Sequence, residues 1–239
     1  MATYVLVHGA WHGSWCWQKL APLIKAEGHV VDAVDLPGRG NDQTPISEMT
    51  LNKYAELVRQ RIESAEESVI LVGHSLGGMV ITQAAELVPR RIAILVYLTA
   101  FLPRDGQSLQ QLSEGDHKAL VRSNMIINKE QGSSIIAQHA RREVFYGECN
   151  DEDVTFAVSR HVPESLAVIG TPVRITDQRA GSVRRFYIEC LRDRAIGIDK
   201  QRKMYGARPC ERVLTIDTDH SPFLSRPEEL ANHLLSLAR

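Results

Sequence analysis

The sequence predicts an α/β protein: a mostly parallel, six-stranded sheet covered by helices on both faces, with a helical cap inserted into it. Three observations carry this reading. Short apolar runs recur at six places, helical patterns lie between most of them, and the alternation breaks once, over about 80 residues. Continuous apolar strands alternating with helices are what a parallel sheet buried on both faces requires.

In chain order, Tyr4 to Val7 and Val30 to Val34 are the first two strands, with a helical pattern from Trp17 to Glu27 between them. Leu51 to Ser64 follows as a helix. Val69 to Val72 has the length and branching of a fully buried strand. Leu76 to Leu87 then reads as a helix that Pro89 ends. Ile92 to Leu98, Phe186 to Cys190 and Arg212 to Ile216 complete the sheet. The last helix runs from Pro227 to Leu237, with Leu230, Leu234 and Leu237 apolar and Pro227 in the first turn, where its missing N–H costs nothing.

From about Pro103 to Val183 the chain is mostly polar, with helical fragments and no convincing buried strand. That is far too long for an ordinary connection. Phe145, Tyr146, Phe156, Val158, Leu166, Val168 and Ile169 give it enough apolar material to fold. The expectation is a cap of short helices over residues 103–183, sitting at the sheet's C-terminal edge. Residues 1–102 and 184–239 then form the core domain.

Bulk properties narrow the function classes. The chain has 239 residues, 44% hydrophobic and 24% charged, and its formal net charge is −1. Without a basic block, nucleic acid and anionic membrane surfaces are poor partners. No apolar run approaches the ~20 residues of a bilayer span. The first strand starts at about Thr3, leaving no room for a signal peptide. A soluble, cytoplasmic protein is expected. Cys16, Cys149, Cys190 and Cys210 lie far apart without C-x-x-C spacing, so free thiols are expected. The acidic stretch Glu148 to Asp153 lacks EF-hand spacing and reads as the capped start of a helix, so no metal is expected.

The chemistry is concentrated in Gly73-His74-Ser75-Leu76-Gly77. A G-x-S-x-G between a buried strand and a helix is the setting of a nucleophile elbow, where the serine hydroxyl projects above the sheet edge. The flanking glycines are needed because a Cβ at either place would meet the neighbouring strand or helix. Serine needs a base. Of nine histidines, His220 lies four residues beyond a strand and just before the last helix, in a loop at the edge where Ser75 sits. His74 adjoins the serine and cannot fold back onto it. His12 reads as a loop hydrogen-bonder and Arg39 as a solvated loop residue. The acid comes from a third loop: Asp193 follows a strand by three residues, with Asp199, farther on in the next helix, as the reserve. The oxyanion donors are the backbone N–H groups of Leu76 and Ala10, the latter in the glycine-flanked loop His8 to Gly13. Gly9, Trp11, Phe145, Tyr146 and Phe156 are the candidate substrate contacts.

Val5-Leu6-Val7-His8-Gly9-Ala10, Asp35-Leu36-Pro37-Gly38, Gly73 to Gly78 and Asp219-His220 together make the chain resemble the α/β-hydrolase superfamily from end to end. The opening His8 to Trp17 and the strand Tyr187-Ile188-Glu189-Cys190 ahead of Asp193 are similar to the plant-type branch of methyl esterases and hydroxynitrile lyases. The resemblance implies a six-stranded core, a helical cap and an ester-hydrolysing triad of Ser75, Asp193 and His220. Where the lyases carry a threonine after the first His and a lysine after the catalytic His, this chain has Gly9 and Ser221. Its cap is thin in aromatics, which leaves the substrate open. The function expected is a serine carboxylesterase for small apolar or aromatic esters, with no cofactor. The expected partner is a small-molecule ester, and a homodimer is compatible with the sequence. The rivals are a C–C or C–N bond-cleaving lyase of the same fold and a non-catalytic small-ligand sensor, against which the intact Ser75, Asp193 and His220 argue.

Overall fold

The computed structural model describes residues 1–238. The first half of the chain alternates strands β1 (Thr3–Val7), β2 (Val30–Val34), β3 (Val69–His74) and β4 (Ile92–Leu98) with helices α1 (Leu20–Ala26), α2 (Leu51–Glu63) and α3 (Gly77–Leu87). The last quarter supplies β8 (Arg185–Cys190), α9 (Ile198–Ala207), β9 (Arg212–Ile216), α10 (Pro222–Ser225) and α11 (Pro227–Leu237). Between the two lie α4 (Leu109–Ser113), α5 (Val121–Asn124), β5 (Met125–Asn128), β6 (Ser133–Ile136), α6 (Arg141–Phe145), α7 (Asp151–Val158), β7 (Glu164–Ser165) and α8 (Leu166–Gly170).

The main sheet has six parallel strands in the order β2-β1-β3-β4-β8-β9. Helices flank it, α1 packing with α11 and α2 with α3. Every position of β3 is buried, as expected for a central strand covered on both faces. Because the strands are parallel, the residues that follow them meet at one edge. His8, Ser75, Thr99, Asp193 and His220 each follow a different strand of this sheet, and all five are buried.

Outside the candidate site, the structure departs from the sequence reading in three places. The Trp17 to Glu27 pattern is a 3₁₀ turn over Ser14–Gln18 followed by α1. The segment expected to hold only short helices also contains a three-stranded antiparallel sheet, β5-β6-β7. Its strands lack a clean apolar period: β5 exposes Ile126 and Ile127 side by side, and β7 has two residues. Third, Arg39 is not solvated. Its side chain is 2% exposed and pairs at 2.9 Å with Glu164, whose other oxygen accepts from Tyr54 at 2.9 Å. This buried ion pair fastens the 164–165 strand to the loop after β2.

Candidate active site

The turn between β3 and α3 is built from Ser75 and Leu76. Ser75 holds φ 54°, in the left-handed region that non-glycine residues avoid. Its carbonyl accepts from the N–H groups of Gly78 and Phe101, both at 3.1 Å, which fixes the turn. A Cβ at Gly73 would stand 2.6 Å from the Gly77 carbonyl oxygen, and one at Gly77 would stand 2.7 Å from the Val7 carbonyl oxygen. Both neighbours are backbone, so neither can give way.

Asp193 and His220 meet beside this turn. His220 Nδ1 lies 2.6 Å from Asp193 Oδ2, with both side chains almost wholly buried. A carboxylate accepts, so Nδ1 carries a proton, and the neutral ring has its lone pair on Nε2. The other Asp193 oxygen accepts from the N–H groups of Ala195 and Ile196 at 2.6 and 2.8 Å, and Thr99 Oγ1 donates to Oδ2. Neither neighbouring arginine pairs with it: Arg192 bonds Asp217 and Glu148, and Arg194 bonds Glu143. Asp199 lies in α9, 72% exposed, paired with Lys118. Asp219 faces away, accepting from the N–H groups of Glu148 and Ser221, and burial raises its pKa.

His74 and Thr99 join the site without having been singled out for it. His74 Nε2 donates to the His220 carbonyl at 2.8 Å, and the two rings lie 4.5 Å apart. Burial, then the neighbouring His220, hold His74 far below the ordinary histidine range, so its ring is neutral. Thr99, at φ 35°, is a second strained residue.

A cavity of about 390 Å³ opens over Ser75. Ala10 and Leu76 line it, and among the described residues no acceptor takes either backbone N–H. Gly9 passes so close to the serine that a Cβ there would be 2.7 Å from Ser75 Cβ. Trp11 and Phe145 line the cavity, and the Phe145 ring also lies 5.7 Å from that of His220. Tyr146 and Phe156, expected as substrate contacts, do not line it. The Tyr146 hydroxyl is buried between His12 Nε2 and His161 Nε2, at 2.7 and 2.6 Å. The Phe156 ring packs edge-on to Trp15, with the Arg160 guanidinium 3.7 Å above it. Instead Phe101, Leu109, Val121, Met125, Leu166 and Ile169 supply much of the apolar wall. Phe101 follows β4, and the other five are scattered over short elements of a polar segment, so no periodicity marked them. Among the described residues no cluster of His, Cys, Asp and Glu could hold a metal ion, and all four cysteines are free. No described helix is long and apolar enough to cross a membrane.

Compared with known proteins, residues 4–233 match the alpha/beta hydrolase family. The chain is 35% identical to salicylic acid-binding protein 2 of Nicotiana tabacum, over 98% of this chain and 96% of that protein. It is 31% identical to methylesterase 9 of Arabidopsis thaliana, covering 100% of this chain and 98% of the other. Among solved structures, a pyrethroid hydrolase from Sphingobium faniae JZ-2 superimposes with a TM-score of 0.89 at 30% identity, covering 99% and 97% of the two chains.

Proposed function

The chain belongs to the alpha/beta hydrolase family and is a carboxylic ester hydrolase; on that premise we propose that it cleaves small apolar or aromatic esters, methyl esters among them, through an acyl-enzyme on Ser75. The observation that carries this is the buried 2.6 Å bond from His220 to Asp193, set beside a serine held in left-handed backbone.

In this mechanism His220 Nε2 takes the Ser75 proton as Oγ attacks the ester carbonyl. Asp193 fixes the tautomer and stabilises the imidazolium. The N–H groups of Ala10 and Leu76 receive the negative charge that forms on the carbonyl oxygen. Collapse of the tetrahedral intermediate expels the alcohol, which takes the proton from His220. Water, activated by the same histidine, then releases the acid. The small, mainly apolar cavity supports the substrate class, and the methylesterase relatives support a methyl leaving group. Residues 103–183 act as the cap in this reading, because Leu109, Val121, Leu166 and Ile169 face the cavity that holds Ser75.

Cyanohydrin lysis is not favoured. Expelling cyanide benefits from a cation beside the catalytic histidine, and the residue there is the buried, uncharged Ser221. Gly9 likewise offers no hydroxyl to a substrate oxygen. The test is turnover of methyl and aryl esters, with mandelonitrile in parallel, by the wild type and Ser75→Ala. Ester hydrolysis should fall by several orders of magnitude in a folded Ser75→Ala variant. A folded variant with the wild-type rate would overturn the proposal, as would Ser75-dependent benzaldehyde release faster than any ester turnover.

A further inference from the structure

We propose that His8 and His12 are positioning residues of the oxyanion amide: the His8 Nδ1–H holds the Gly9 carbonyl away from the cavity, which aims the Ala10 N–H into it, and the His12 Nδ1–H braces the next peptide through the Ala10 carbonyl. The inference rests on the reading of Ala10 as an oxyanion donor. In a trans peptide the C=O and the following N–H point in opposite directions. Whatever fixes the Gly9 carbonyl therefore fixes the Ala10 N–H.

The proton positions follow from the partners. His8 Nε2 lies 3.2 Å from the Leu36 backbone nitrogen, which can only donate, so Nε2 is bare. His8 Nδ1 therefore carries the hydrogen and donates to the Gly9 carbonyl at 2.8 Å. One turn on, His12 Nδ1 lies 2.7 Å from the Ala10 carbonyl, which can only accept. His12 Nε2 is then the acceptor for the Tyr146 hydroxyl, and that oxygen accepts in turn from His161 Nε2. This leaves His161 Nδ1 bare, and it is a buried atom without a partner. The Trp11 carbonyl accepts from the Val162 N–H at 3.1 Å. Three successive carbonyls, of Gly9, Ala10 and Trp11, are thus each tied to a fixed donor. They hold the loop in a shape that puts Trp11 at φ 63°. Burial lowers both His8 and His12 to about 3, so each ring stays neutral, with a single N–H, at neutral pH.

Glutamine and asparagine separate the two ring nitrogens. His8→Gln keeps an acceptor near the place of Nε2 but no donor near that of Nδ1, and His8→Asn does the reverse. The readouts are kcat and KM on p-nitrophenyl acetate, and the affinity of an aryl trifluoromethyl ketone. That ketone forms a hemiketal on Ser75 whose oxygen takes the oxyanion's place. His8→Gln should lose about 10- to 100-fold in kcat and in ketone affinity with KM changed less than about threefold, and His8→Asn should recover to within about fivefold of wild type. A folded His8→Gln with wild-type kcat and ketone affinity overturns the inference, and so do equal losses in both variants. Should His8→Gln not fold, His12→Gln and His12→Asn give the same comparison under the same criteria. A wild-type protein that neither hydrolyses the ester nor binds the ketone would overturn the esterase reading itself, and the inference with it.

Discussion

Left-handed backbone at a non-glycine residue costs on the order of 1–3 kcal/mol and persists only where its surroundings hold it. Among the described residues it occurs at Trp11, Ser75 and Thr99. Ser75 is the proposed nucleophile, Trp11 follows the proposed oxyanion donor, and Thr99 donates to the carboxylate that orients His220. The strain is thus gathered where the chemistry is proposed to occur. Asp193→Asn should lower kcat by about 10⁴, because an amide oriented by these donors leaves the imidazole in the wrong tautomer. Asp199→Asn, which removes only an exposed ion pair with Lys118, should stay within about twofold of wild type. A steady-state assay of both variants checks this, and the reverse ranking would contradict the assignment. At this scale the sequence was legible where a residue's location follows from its place just past a strand, as for Ser75, Asp193 and His220, which the structure brings to one edge of the sheet. It was not legible for Thr99 and His74, whose partners lie 94 and 146 residues away. No local pattern encodes such pairs.

Elements were read well where a run of apolar residues or a helical period stands between polar turns. Val30–Val34, Ile92–Leu98, Arg212–Ile216 and Pro227–Leu237 have the bounds the apolar pattern gives. The pattern fails over residues 103–183, where β5 shows apolar side chains on both faces and β7 pairs only two residues with β6. What fastens this segment to the core was hidden for the same reason: the partner of Arg39 is 125 residues away. Glu164→Ala should destabilise the protein by about 3–5 kcal/mol, since it leaves a guanidinium buried without its carboxylate. The double variant Arg39→Met with Glu164→Met should recover most of that loss, because the desolvation penalty goes with the pair. Denaturant melts of the three proteins check this. A Glu164→Ala variant within about 1 kcal/mol of wild type would show that the pair does not anchor the segment.

On the scale of the whole molecule, the buried histidines set an acid limit on stability. Burial lowers His8 and His12 from 6.5 to about 3, and moves His74 and His161 in the same direction. Between those values the unfolded chain binds protons that the folded chain refuses, so stability rises with pH there and is lost as pH falls below about 6.5. Each such histidine contributes about 1.4 kcal/mol per pH unit within its window. Asp219, raised by burial, works in the opposite sense but is outnumbered. Thermal melts should show a clear fall in Tm from pH 7 to pH 5, and a flat or rising Tm would contradict the neutral-histidine network. The central claim, that Ser75 is the nucleophile of an ester hydrolase, is tested most directly by covalent capture. The wild type is incubated with an aryl phosphonate ester, digested, and the modified peptide located by mass spectrometry. A single stoichiometric adduct on Ser75, formed in step with the loss of esterase activity and absent from His220→Ala, is the expected result. Activity lost with the label on another residue, or full activity with Ser75 labelled, would contradict it.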